Sequence, residues 1–312
     1  MKRSSIYRRR QSDFSNFAGG NNMEDNFEKT AVRVSLVSVV WNMVLSLFKL
    51  AAGVIAHSGA MVSDAVHSAS DVFSSIVVMI GVRMASKESD KEHPFGHERL
   101  ECVAAIVLST VLAVTGLGIG YTAVMKLIRE EYVTAIPGML ALVAAVVSIV
   151  VKEAMFWYTR YYAKKIDSGA LMADAWHHRS DSLSSIGALI GIGGAMAGFP
   201  VLEPVASVVI CGFIEKAALD IFKDAVDKMV DKSCEGQMEE ELRECALGIC
   251  GVLRVDLLRT RMFGNKIYVE MEIGADAKLS LGESHAIAEQ VHDAIEEGWP
   301  KIKHILIHVN PM

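Results

Sequence analysis

Long runs of apolar residues dominate the first two thirds of the chain. A helix that crosses a bilayer needs about 20 mostly apolar residues. Six segments meet this requirement: Val34–Ile55, Ala60–Met84, Cys102–Met125, Pro137–Tyr158, Gly169–Gly198 and Val201–Ile221. The pattern predicts an all-α transmembrane domain of six helices over residues 34–221, surrounded by the lipid bilayer.

After Ile221 the pattern changes to shorter amphipathic and alternating segments. They read as a helix, two strands joined by a turn at 263–265, a second helix and a last strand: Glu239–Ile249, Val252–Met262, Lys266–Ile273, Ser284–Glu297 and His304–Val309. This order predicts a small α+β domain (αββαβ, ferredoxin-like) over residues 222–312, with one sheet face covered by helices.

Composition narrows the class of protein. Hydrophobic residues make up 52% of the chain and charged residues only 22%, which is too apolar for a typical soluble enzyme. No basic face of the size that nucleic acid requires is present, and the five scattered cysteines do not form a disulfide scaffold. The first 33 residues carry seven basic and four acidic side chains and predict a disordered cytoplasmic leader, because no signal-peptide cleavage site follows the first apolar run.

The positions of lysine and arginine predict the orientation in the membrane. The leader and the loops Ser86–Glu101 and Arg160–Asp167 fall on one side of the predicted spans and carry the excess of basic residues. Because cytoplasmic loops are enriched in these residues, both termini are expected in the cytoplasm. The cysteines then lie in membrane or reducing cytosol and are expected to be free thiols.

Two of the predicted spans carry the same polar motif. Residues 64–75 and 174–185 share the pattern D-A-x-H-x-x-S-D-x-x-S-S. Ionisable residues inside spanning helices are rare and usually functional, since an unpaired charge there is costly. The spacing places three polar side chains on one face of each helix: Asp64, His67 and Asp71 in the second span, and Asp174, His177 and Asp181 in the fifth.

The two His-x-x-x-Asp pairs supply two imidazole nitrogens and two carboxylate oxygens. Facing each other, His67 and Asp71 with His177 and Asp181 suit a tetrahedral divalent transition metal, and Zn²⁺ fits best. The alternatives are a polar helix-packing network and a proton relay without metal. The other two acids, Asp64 and Asp174, either line a polar pathway or hydrogen-bond the histidines, and His178 points off the shared face as a bystander.

Two further groups of histidines have metal-ligand chemistry. Asp90, His93 and His97 can close around a metal across a Pro-Phe-Gly turn. The tail carries four more histidines, which alone are more typical of a protein surface: His285, His292, His304 and His308. No Walker motif is present, and the glycine-rich run 187–198 predicts close helix packing, so no nucleotide and no enzyme activity are expected. Transport would have to use an ion gradient.

The six apolar segments, the paired metal motifs on the second and fifth, the H-P-F-G-H loop and the αββαβ tail together resemble the cation diffusion facilitator family over about residues 30–312. The resemblance implies a homodimeric antiporter in a bacterial cell membrane that moves Zn²⁺ or a related ion out of the cytosol in exchange for protons. It also implies that the transport site is His67, Asp71, His177 and Asp181 and that the loop site is Asp90, His93 and His97.

For the tail, the resemblance implies dimerisation and a regulatory metal site at the dimer interface. The family's ligand positions fall on Asp256, Glu272, His285 and His308. Asp256 and Glu272 stand where relatives have histidines, and Asn310 stands where they have an aspartate. Arg99 and Asp231 occupy the positions of a charge pair beneath the membrane domain.

The identity of the metal and the class of function each keep an alternative. Nitrogen-rich ligation favours Zn²⁺ over Mn²⁺, which prefers oxygen, while Fe²⁺, Co²⁺ and Cd²⁺ also fit. The rival class is a non-transporting protein for metal sensing or assembly, with the helical part as its anchor. The complete set of four transport ligands favours the transporter.

Overall fold

The computed structural model describes residues 20–55, 59–130, 139–197, 199 and 201–312, and for some helical positions only the backbone. Within this part of the chain, six long helices form the first domain. They are α1 Gly20–Ile55, α2 Gly59–Ala85, α3 Arg99–Arg129, α4 Met139–Ile166, α5 Gly169–Met196 and α6 Leu202–Met229.

Helix α1 begins earlier than the apolar run predicts. Residues 20–33, assigned from the sequence to a disordered leader, are helical, and residues 1–19 lie outside the described part. Phe27 and Ala31 are buried in the same apolar cluster as Val78 and Val82 of α2. This packing extends the helix beyond the predicted span, because it gives the polar first turns an apolar face to bury.

Two helical stretches of the described residues, Phe27–Ala52 and Arg99–Arg129, are long and apolar enough to cross a membrane. Helices α4 and α5 carry charged residues within their apolar runs. Large apolar side chains such as Leu47 and Val54 are exposed on α1. A row of exposed apolar side chains is typical of a surface that contacts lipid or another protein.

The second domain has the predicted αββαβ order. Its elements are α7 Gly236–Leu247, β1 Arg254–Phe263, β2 Lys266–Ala275, α8 Leu281–Gly298 and β3 Ile302–Pro311. The strand order is β1-β2-β3, with β1 and β2 antiparallel and β2 and β3 parallel. Each boundary lies within a few residues of the predicted one, and Ser280 and Glu283 cap the start of α8 reciprocally.

The loop between α2 and α3 lies against the sheet of the second domain. The Tyr268 hydroxyl of β2 donates a 2.8 Å hydrogen bond to the carbonyl of Phe95, and the Lys303 ammonium of β3 pairs with the Glu98 carboxylate. These contacts connect the segment that contains Asp90 to the second domain.

Candidate metal centre between the helices

Three of the predicted transport ligands come together between α2 and α5. Asp71, His177 and Asp181, here called the buried cluster, each offer a ligand atom within 4.8 Å of the others. The nearer nitrogen of His177, Nε2, is 3.3 Å from Oδ1 of Asp71. Since His177 and Asp181 are four residues apart on α5, both point from one helix face towards α2.

The fourth predicted ligand lies outside what the structure describes. His67 is one helical turn before Asp71 on α2, but its side chain is not among the described ones, and neither is that of Asp64. The roles of both residues therefore stay predictions.

A lysine outside the repeated motif bridges the two carboxylates of the buried cluster. The Lys152 ammonium of α4 is 2.6 Å from Oδ2 of Asp71 and 2.8 Å from Oδ2 of Asp181. It also donates a 2.9 Å hydrogen bond to Oδ1 of Asn42 on α1. A charged residue in the fourth apolar run was the available signal, because ionisable groups in such runs are usually functional.

The donor set fits a divalent transition metal. A tetrahedral Zn²⁺ ion holds nitrogen and oxygen ligands at about 2.0–2.2 Å, which places them about 3.3 Å apart. The donors of the buried cluster lie within 4.8 Å of one another, so small side-chain movements would close them around an ion. Two carboxylates and one imidazole suit several divalent ions, and a second imidazole would favour Zn²⁺.

Asp174 belongs to a neighbouring polar pair. Its Oδ1 accepts a 3.1 Å hydrogen bond from Ser75, and its Oδ2 is 3.5 Å from Nε2 of His178. The same nitrogen of His178 is 3.3 Å from the Ser38 hydroxyl, and both residues of the pair are fully buried. Asp174 thus contacts the histidine that was predicted to be a bystander, next in sequence to the predicted ligand His177.

Asp90, His93 and His97, here called the loop cluster, also lie within 4.8 Å of one another. Nδ1 of His97 lies 3.2 and 3.1 Å from the carbonyl oxygens of Lys87 and Glu88. Because carbonyls only accept, Nδ1 carries the proton in the neutral ring, and Nε2 faces Asp90 at 3.5 Å. The hydrogen bond from the Lys87 ammonium holds the pKa of Asp90 well below its usual range.

In the second domain an amide joins two of the predicted ligands. Nδ2 of Asn310 donates to Asp256 at 2.9 Å and to Glu272 at 3.1 Å. The hydrogen bond from Asn310 lowers the pKa of Asp256. His308 is the β3 neighbour of Glu272, while the exposed His285 lies on α8, 3.5 Å from Glu289. Among the described residues of a single chain, these four predicted ligands do not form a compact set.

The residues predicted to pair beneath the helices are in contact. The guanidinium of Arg99 at the start of α3 hydrogen-bonds the carboxylate of Asp231. Its carbon Cζ lies 4.8 Å from the ring centroid of Phe263 at the end of β1. Arg99 therefore contacts both the segment after α6 and the sheet.

Comparison with known proteins agrees with the division into a helical domain and a second, smaller domain. Residues 35–230 match a family model described as the cation efflux transmembrane domain, and residues 234–312 match the cytoplasmic domain of cation efflux proteins. The chain is similar to metal tolerance protein C1 of Arabidopsis thaliana, with 34% identity over 86% of this chain, and it spans only 59% of that relative.

Two microbial relatives match over nearly their whole length. The uncharacterized transporter MJ0449 of Methanocaldococcus jannaschii is 33% identical over 88% of this chain and 96% of its own. The manganese efflux system protein MneP of Bacillus subtilis is 28% identical over 93% of this chain and 99% of its own. With both domain models matched in order and a buried carboxylate–imidazole cluster in the first, the chain belongs to the membrane-embedded cation diffusion facilitator family.

Proposed function

We propose that this chain exports divalent transition-metal ions from the cytosol in exchange for protons, with Zn²⁺ as the best-fitting substrate. The observation that supports this most strongly is the buried cluster, Asp71 with His177 and Asp181, inside the domain that matches the cation efflux model. Its donors are the groups that bind such ions, and burial removes competing water ligands.

The proposed mechanism follows from ligand chemistry. A metal binds only deprotonated carboxylate and imidazole, so loading the site releases protons and protonation releases the metal. If the helices alternate between inward-open and outward-open states, Asp71, His177 and Asp181 take metal from the cytosol and protons from the opposite side. One set of side chains then couples both ions by competition.

We further propose that α1–α6 all cross the membrane and that both termini are cytoplasmic, in a bacterial cell membrane. Basic residues at the end of α4, Lys164 and Lys165, support this orientation. The match of residues 234–312 to the cytoplasmic domain supports a homodimer formed through that domain. The predicted ligands Asp256, Glu272, His285 and His308 would then meet only across the dimer, with metal as regulator.

Mn²⁺ is the second candidate substrate, because MneP is named as a manganese efflux protein and the buried cluster offers two carboxylates. Replacing His67 with aspartate would give three oxygens and one nitrogen and shift selectivity towards Mn²⁺. An unchanged ranking of Zn²⁺, Mn²⁺, Fe²⁺, Co²⁺ and Cd²⁺ in His67→Asp would show that His67 is not a ligand.

Flux measured in proteoliposomes tests the proposed function. The full chain is reconstituted with one dye for metal and one for pH inside the vesicles. We expect Zn²⁺ to enter as protons leave, and flux to rise when the lumen is made more acidic. Flux that ignores the proton gradient would identify a uniporter. Metal binding without flux would favour the sensing or assembly protein.

A further inference from the structure

We infer that Lys152 is a tethered competitor of the metal substrate, an internal cation that must leave the carboxylates before an ion can bind. The inference rests on the proposed function and adds a determinant of affinity to the same site. It concerns the position and charge of one side chain on α4, a helix that carries none of the predicted ligands.

The ammonium occupies the place that an ion would take. It contacts one oxygen of each carboxylate, at 2.6 Å for Asp71 and 2.8 Å for Asp181. A metal bridging these two oxygens would stand about 2.0–2.2 Å from each. The two cations cannot share that space, so binding of the metal requires the ammonium to move.

Burial decides how far the ammonium can go. The side chains of Lys152 and Asp71 are each 3% exposed, and that of Asp181 is 11% exposed. Lys152 therefore cannot turn into bulk water, and its charge stays close to the bound ion, where repulsion is screened less than at a surface. The lysine lowers metal affinity, which helps an exporter to release its substrate.

Asn42 offers the displaced ammonium a place to stay. Its Oδ1 accepts a 2.9 Å hydrogen bond from Lys152, and Asn42 is fully buried on α1. Unlike the two carboxylates, this amide is neutral and is not a predicted ligand. Asn42 thus acts as a positioning residue that retains the ammonium while Asp71 and Asp181 bind the metal.

The alternative hypothesis is that Lys152 forms a purely structural ion pair. In that case Lys152 holds α4 against α2 and α5, and its removal weakens the site along with the fold. The two hypotheses predict opposite changes in metal affinity when the charge of Lys152 is removed. Lys152→Met keeps most of the length of the side chain and removes its charge, while Lys152→Arg keeps the charge.

The test measures Zn²⁺ flux and Zn²⁺ binding for the full chain. We expect Lys152→Met to lower KM by at least about tenfold, because a like charge next to the ion is gone, and to lower kcat as release slows. Lys152→Arg keeps the positive charge next to the ion and should therefore not lower KM. Asn42→Leu should raise KM, but not in the Lys152→Met background, because the two residues act as a pair.

Arg179→Met is the matched control. Arg179 is a cation on α5 that pairs with Glu153 at 3.1 Å, and its carbon Cζ lies 4.4 Å from the ring centroid of Phe156. Loss of its charge should change KM by less than about twofold, because a partly exposed ion pair contributes little free energy.

Several outcomes separate the two claims. Folded Lys152→Met with unchanged or weaker Zn²⁺ binding overturns the inference, and Lys152→Gln replaces it if the methionine variant does not fold. Zn²⁺ binding at the buried cluster is defined as the fraction of wild-type binding that is lost in Asp181→Ala. If wild type binds but does not transport, the proposed function fails while the affinity comparison still decides the role of Lys152. If no Asp181-dependent binding exists, both fail.

Discussion

The buried cluster and the loop cluster have similar chemistry and opposite surroundings. Each combines carboxylate with imidazole within 4.8 Å, and in each a lysine ammonium contacts the carboxylate at 2.6–2.8 Å. Lys87 of the loop has a side chain that is 62% exposed, whereas Lys152 between the helices is 3% exposed. The same pair of groups is therefore loosely held in one place and enclosed in the other.

This difference determines what each lysine can do. An exposed ammonium exchanges a carboxylate for water at almost no cost, so Lys87 leaves Asp90 available to a metal. An enclosed ammonium keeps its charge near the ligands wherever it moves. Two clusters built from the same two kinds of ligand are thus expected to differ in function, with transport at the buried cluster and a supporting role at the loop.

The largest expected effect separates the two clusters directly. Asp181→Ala removes a ligand from the buried cluster and should lower metal flux in proteoliposomes by at least about 100-fold, because even indirect partners of metal ligands are worth 10- to 100-fold. Asp90→Ala, which removes a carboxylate from the loop cluster, should cost less than about threefold. Equal losses in the two variants would show that the two clusters do not differ in function.

A third group of carboxylates extends the comparison to the second domain. In Asn310→Asp the amide between Asp256 and Glu272 is replaced by a third carboxylate. Residues 222–312 are expected to fold alone, and Zn²⁺ should raise the melting temperature of this variant more than that of wild type. Without metal the variant should have a lower melting temperature than wild type, because the three carboxylates repel one another.

Calorimetry of the isolated domain with and without Zn²⁺ measures both changes. Replacing both His285 and His308 with alanine is the control, since these are the predicted imidazole ligands. A thermal shift that survives this double replacement would show that the metal binds elsewhere in the domain.

The loop around Asp90 should lose stability only when the pH falls below about 3.9. The backbone amides of Glu92 and His93 donate to Asp90 at 3.0 and 2.8 Å, and the pKa of Asp90 is held low by Lys87. A depressed carboxyl pKa stabilises the fold above the unfolded value of about 3.9 and loses that contribution as pH falls below it. Hydrogen exchange, corrected for intrinsic rate, should show constant protection of both amides from about pH 8 to 5.

The matched variant for that measurement is Asp90→Asn, which keeps an acceptor and loses the charge. It should protect the two amides less than wild type at neutral pH. Protection in wild type that declines between about pH 7 and 5 would assign the loop's stability to its histidines instead.

The smallest expected effect is that of Lys87→Met. Because Lys87 is 62% exposed, the loss of its charge should change KM for metal by less than about twofold. A change as large as that expected for Lys152→Met would show that exposure does not distinguish the two lysines.

The order of the elements and the shared helix face of the motif residues could be predicted because both depend on local spacing. His177 and Asp181 share a helix face through their four-residue separation alone, and the αββαβ order follows from period and turns. The repeated motif also predicted that the second and fifth apolar segments face each other, because its two His-x-x-x-Asp pairs together supply the ligands of one metal site.

Other features depended on tertiary packing and were missed. Lys152 reaches the carboxylates because of the rotation of α4 about its axis, which no local pattern specifies. Helix α1 extends back to Gly20 because Phe27 and Ala31 meet α2. Asn310 joins Asp256 to Glu272 because parallel pairing of β2 and β3 places it beside Gly274, two residues beyond Glu272.

A structure of the full chain determined with bound Zn²⁺ would show whether the buried cluster binds metal and where the Lys152 ammonium then lies. We expect an ion about 2.0–2.2 Å from the carboxylate oxygens of Asp71 and Asp181 and from a nitrogen of His177. We also expect the Lys152 ammonium to be withdrawn from both carboxylates and held by Asn42. Zn²⁺ found at the loop cluster alone, with Lys152 still bridging Asp71 and Asp181, would show that the buried cluster is not the transport site.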